Sequence, residues 1–131
     1  MAWMRVASIK ILLSLVVFLI AGICLNASAN AESTEVFDGE RFIITITEHC
    51  PEGFVSCENV TFVSKNKKTG SGITLKGKTV NINCPATCDF RGYEFKNGLY
   101  TYSLLTNDFA GWNLNVFKGN KLLSTDTGKM E

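Results

Sequence analysis

The residues of this chain best equipped for chemistry are Cys50, Cys57, Cys84 and Cys88, because thiols at these spacings either cross-link or hold a metal. Four cysteines allow three pairings. Proximity favours Cys50 with Cys57 and Cys84 with Cys88, each closing a small loop that carries a proline, Pro51 or Pro85. A zinc site competes for the same thiols, with His49 beside Cys50 as a further ligand. The Cys84-x3-Cys88 spacing suits zinc, but Cys50-x6-Cys57 is longer than the usual pair of ligands, and an oxidising compartment disfavours free thiolates. Disulfides are therefore expected, and no metal.

Catalytic constellations are close to absent. With a single histidine there is no Ser/His/Asp arrangement and no H-E-x-x-H, and no glycine-rich phosphate loop implies a cofactor. Glu48, Glu52, Glu58, Asp89, Glu94 and Asp108 are scattered, and spacing does not show whether two converge. The chain reads as a non-enzyme that binds something.

Two segments are candidates for that binding. The stretch Cys84 to Arg91 is a short loop, closed by a disulfide, that passes through Asp89 and ends in a cation. Such a loop enters a concave acidic site with little ordering cost, and Arg91 suits pairing with carboxylates. The segment Phe109-Ala110-Gly111-Trp112 follows a polar loop and offers Phe109 and Trp112 as partly exposed aromatics. Inward alternation accounts for most of the other aromatics as core. Asn59-Val60-Thr61 is a glycosylation acceptor if the source is eukaryotic.

The N-terminus places these residues in a compartment. Arg5 and Lys10 precede an uncharged apolar run from Ile11 to Leu25, shorter than the ~20 residues of a membrane span. Ala29-x-Ala31 follows at the spacing of a signal peptidase site, with cleavage before Glu32 as first choice and before Asn30 as second. Residues 1–31 therefore read as a signal peptide and 32–131 as a single exported domain, periplasmic or secreted. The membrane is a partner only if that segment is retained as an anchor. Its removal leaves 11 basic and 12 acidic residues, a formal charge of −1. That balance does not suggest nucleic acid.

The elements that position these groups read as β. Phe42, Ile44 and Ile46 alternate with Ile43, Thr45 and Thr47, and further runs cover Val60 to Lys65 and Ser71 to Asn83, where Gly77 suggests a bulge, bend or turn. Asn97-Gly98 separates two aromatic-rich runs and predicts a type I′ hairpin. Gly119-Asn120 separates the run around Trp112, Leu114 and Val116 from Lys121 to Thr125. Residues 30–36 read as a loose tail. About seven or eight short strands in ~100 residues predict an all-β fold, a small antiparallel barrel or sandwich stapled by disulfides.

Gly92, Phe95, Asn97-Gly98-Leu99-Tyr100 and Tyr102, followed by Leu114-Asn115-Val116-Phe117-Lys118 and Lys121-Leu122-Leu123, resemble the C-terminal half of periplasmic C-type lysozyme inhibitors. The resemblance covers roughly residues 71–125. It implies a small antiparallel β-barrel and a secreted or periplasmic protein partner such as a lysozyme. The family has a serine before the glycine matched by Gly92, on the loop that enters the lysozyme cleft; this chain has Arg91. A second inhibitory loop, with a Ser-Lys-Gly pattern, is replaced by Leu104-Leu105-Thr106-Asn107-Asp108, and the family's C-terminal cysteine is missing. The resemblance thus carries the fold, without the inhibitory loop residues.

Overall fold

A computed structural model describes residues 32–106 and 111–131; residues 1–31, expected from the sequence to be a signal peptide, and Phe109 lie outside the described residues. The described chain is all-β. Its strands are β1 (Ser33–Gly39), β2 (Phe42–Glu48), β3 (Val60–Asn66), β4 (Gly72–Ile82), β5 (Asp89–Asn97), β6 (Tyr100–Thr106), β7 (Trp112–Lys118) and β8 (Lys121–Met130). Each pairs antiparallel with the next, and β8 returns to β1 through Phe37–Met130, Asp38–Lys129 and Gly39–Gly128, closing a barrel. Of the two architectures compatible with the sequence, the barrel is the one formed.

Alternation of period two selects what fills the interior. Phe37, Ile44, Ile46, Val60, Phe62, Phe95 and Leu104 are completely or almost completely buried. Each such side chain stabilises the fold by about 1.5–3 kcal/mol relative to exposure. Phe62 and Phe95 meet with ring centroids 4.8 Å apart at 49°, a tilted contact that aromatic quadrupoles favour. Leu75, Tyr93 and Leu114 extend the same core.

Several elements differ from the sequence reading. Residues 33–36 are part of a strand: β1 pairs with β2 from Ser33–Glu48 to Asp38–Ile43. The segment Ser-Thr-Glu-Val lacks an apolar alternation, and its strand state comes from pairing with the backbone groups of β2, joined only at Val36 by Glu131 on the other side. Gly77 neither bends nor splits β4. It lies opposite Val60 and Phe95, and a Cβ there would come within 2.1 Å of the Glu94 carbonyl oxygen, so glycine permits close approach of two strands. The β5–β6 turn is also shifted by one residue. Asn97 pairs with Tyr100, leaving Gly98 and Leu99 as the loop, with Gly98 at φ 60°. Glycine at the first loop position is the type II′ pattern, not the expected I′. Finally, β8 continues past Thr125 to Met130, because its distal half supplies the seam to β1.

The meander sorts its connections by end. The tight turns β1–β2, β3–β4, β5–β6 and β7–β8 share one end of the barrel, whereas the longer segments 49–59 and 83–88 share the other. Function is expected at the end with the longer loops.

Candidate functional site: the loop-bearing end of the barrel

Both disulfides lie at the loop-bearing end. Cys50–Cys57 closes the β2–β3 loop and Cys84–Cys88 closes the β4–β5 loop, the pairing that proximity favours, and both suit an oxidising compartment. Each loop is also tied to the barrel. Cys57 donates its amide to the Thr79 hydroxyl at 2.8 Å, and the Thr79 amide returns a bond to the Cys57 carbonyl at 2.8 Å. Asn81 then joins one loop to the other: its side-chain amide donates to the Val55 carbonyl at 3.0 Å and to the Cys88 carbonyl at 3.2 Å.

What the paired loops present is apolar. Phe54 is 69% and Val55 62% exposed at the tip of the first loop, and Ile82 and Phe90, which flank the second, are also exposed. In the sequence the Phe54-Val55 pair stands apart from any alternating run, inside a Cys-closed segment, a signal that could have singled it out.

A bulge explains the placement of Phe90, Arg91 and Trp112. Val80 pairs with Gly92 but Asn81 pairs with Phe90, so Arg91 is the extra residue of β5. The shift of phase brings the Phe90 ring to Tyr93, 5.3 Å away and edge-on, and to Trp112 at 6.3 Å. Trp112 also stacks on Tyr93 at 6.4 Å and 20°. Trp112 is half-buried and packs against the core. Arg91 is half-buried as well, not the exposed strand-start residue that its position suggests, because the bulge draws it into the sheet.

Asp89 is committed to its own loop. Its Oδ2 accepts from Asn83 at 3.2 Å and from the Thr87 hydroxyl at 3.0 Å. These two bonds hold its carboxyl below the ordinary value, with the nearby Arg91 charge adding to the effect. Asp89, Arg91 and Trp112 thus share one end of the barrel, while Asp89 braces the loop from within.

Two carboxylates that looked unrelated in sequence converge beside these groups. The Tyr93 hydroxyl donates to Glu35 at 3.4 Å, and Glu48 stands within bonding reach of the same phenol. Burial first, then the charges of Glu35 and Glu48, raise the Tyr93 pKa. Glu48 in turn accepts from the Ser33 hydroxyl at 3.0 Å. Glu35 is absent from the sequence candidates because the segment carrying it reads as a tail. His49 bridges Glu32 at 3.0 Å and the Thr61 hydroxyl at 2.8 Å, fastening the chain entry to β3.

The charge distribution is polarised along the barrel. Glu32, Glu35, Glu48, Glu52, Glu58 and Asp89 outnumber Arg91 at the loop-bearing end, whereas Arg41, Lys65, Lys67, Lys68, Lys118 and Lys121 outnumber Asp38, Glu40 and Asp126 at the turn end. A cleft of about 350 Å³ between the chain entry and the first disulfide loop is lined by Glu32, Glu48, Glu52 and Phe54. The arrangement suits binding of a partner with an apolar contact surface and positive charge around it. No family model, curated protein or solved structure matches the chain.

Proposed function

We propose that this is an exported binding protein, without catalytic activity, whose loop-bearing end seats on a protein partner in the manner of an inhibitor. The reading rests on one observation above the others: two disulfide-closed loops, tied together through Asn81, present Phe54, Val55, Ile82 and Phe90 to solvent on one end of a closed barrel. Loops restrained in advance lose little freedom on binding. Exposed apolar and aromatic side chains of this kind make the centre of protein interfaces. Six carboxylates around them favour encounter with a cationic partner. The resemblance of residues 71–125 to periplasmic C-type lysozyme inhibitors supports a lysozyme-like glycosidase as the partner, and the apparent signal segment supports export.

The test is to mix the purified protein with C-type, G-type and I-type lysozymes and measure residual cell-wall lysis. Inhibition of at least one class is expected, weakened about tenfold or more by Phe54→Asp, which places a charge in the apolar contact. Lysis unaffected in every class by protein that is folded by circular dichroism rules out the glycosidase partner.

A further inference from the structure

The opposite end of the barrel holds a second feature. Phe42, Phe62, Ile73, Tyr102, Leu114 and Val116, from five different strands, line a cavity of about 290 Å³ that opens among the tight turns. Its polar lining includes the hydroxyls of Ser64 and Ser124, and Leu123 stands at its edge, almost half exposed. The volume is well above the ~10–15 Å³ needed to hold a single water, so the space suits a small ligand. An eight-stranded barrel is just wide enough to be filled by side chains or to keep room for one small ligand. Here Ser64, where a larger inward residue would fill the space, leaves room.

A cation stands at the opening. Arg41, in the β1–β2 turn, donates to the Ser124 hydroxyl at 2.9 Å and to the Thr125 carbonyl, and its guanidinium lies 5.7 Å from the centre of the Phe42 ring. Both hydrogen-bond partners are neutral, and among the described residues Arg41 forms no ion pair. The adjacent Asp126 carboxylate is engaged by the amides of Glu40, Arg41, Phe42 and Thr127. Lys65, Lys68, Lys118 and Lys121 belong to the same end, while Lys67 is paired with Asp38 and Glu40 neighbours Arg41, so the end is positive on balance.

An apolar pocket with a fixed guanidinium on its own lining residues has the features that recognise an anionic amphiphile. We propose that the turn end of the barrel binds a small free carboxylate with an unbranched apolar tail, the tail between Phe62, Tyr102 and Leu114 and the carboxylate on Arg41. The tail gains by leaving water, and the carboxylate gains charge-assisted hydrogen bonds. This site is independent of the loop-bearing end, and its success or failure leaves the proposed protein partner untouched.

The experiment is a methyl-resolved NMR titration of the purified protein with decanoate, with decanol as the uncharged control and with phosphatidylglycerol vesicles as a membrane source of negative charge. Decanoate is expected to saturate and to shift the methyl groups of Ile73, Leu114, Val116 and Leu123. Arg41→Gln should weaken decanoate about tenfold and leave decanol unchanged, a difference that a purely structural role of Arg41 would not produce. Ser64→Leu should fill the pocket and abolish binding of both, with the fold verified by circular dichroism. The proposal is overturned if decanoate fails to saturate, if its shifts fall on Val55 and Ile82, if Arg41→Gln changes both ligands alike, or if only vesicles bind.

Discussion

Asp126 receives the backbone amide of Arg41 on both carboxylate oxygens, at 3.3 and 3.1 Å, although the two residues are 85 positions apart. The same carboxylate, 3% exposed, also accepts the amides of Glu40, Phe42 and Thr127. A strand at the end of the chain thereby closes the first turn of the domain. Three of the four amides belong to the β1–β2 reversal, where Glu40 also donates to the Thr127 carbonyl at 3.1 Å, so the carboxylate and β8 together hold the turn.

Asp126→Ala is expected to destabilise the barrel by about 3 kcal/mol, since several amide donors lose one buried acceptor together. Urea unfolding followed by circular dichroism measures this directly. A midpoint unchanged from the parent protein would show that water replaces the carboxylate at no loss.

Asn81→Ala should do little to global stability and much to the loops. Its two donated bonds contribute about 1 kcal/mol each, but its Oδ1 is buried with no hydrogen-bond partner among the described residues, an offset of similar size. The expected result is an unfolding midpoint close to the parent's together with faster amide exchange around Val55 and Cys88. Exchange left unchanged would mean that the disulfides alone hold the loops.

Replacing Cys84 and Cys88 together with serine should cost about 2 kcal/mol in the chain-entropy model, because only a short loop is closed. The barrel should remain folded at room temperature by circular dichroism, and, on the function proposed above, any lysozyme inhibition should weaken. Loss of the fold would assign this bridge a role in the core.

Tyr93 provides a test on the alkaline side. Its folded-state pKa is raised above the ordinary phenol value of 10.0, so the folded form holds its proton more tightly than the unfolded form. The stabilisation is complete below about pH 10 and is lost as pH rises through the raised value. Tyrosinate absorbance of the parent and of Tyr93→Phe should therefore coincide until the barrel unfolds. A separate Tyr93 ionisation in the folded protein near pH 10 would contradict the burial of its hydroxyl beside Glu35.

Much of this architecture was legible in one dimension. Alternation in residues 42–47 and around Tyr93, Phe95, Leu114 and Val116 identified strands and their inward faces, because a residue's side of a sheet depends only on its parity. Cysteine spacing pointed to both disulfides, because short loops bring thiols together whatever the fold. Parity fails where the chain slips by one residue. The bulge at Arg91 moved Phe90 onto the Tyr93–Trp112 stack and drew Arg91 into the sheet, and no composition rule locates that slip. β1 was invisible for a related reason: its strand state is imposed by β2 and β8, which need a partner on each side to satisfy their backbone groups. The convergence of Glu35 and Glu48 on Tyr93, the coupling of two loops by Asn81 and the approach of Arg41 to Ser124 all join residues far apart in sequence. Local pattern specifies strands and faces; barrel closure, which depends on register and stagger summed around eight strands, decides which side chains meet at each end.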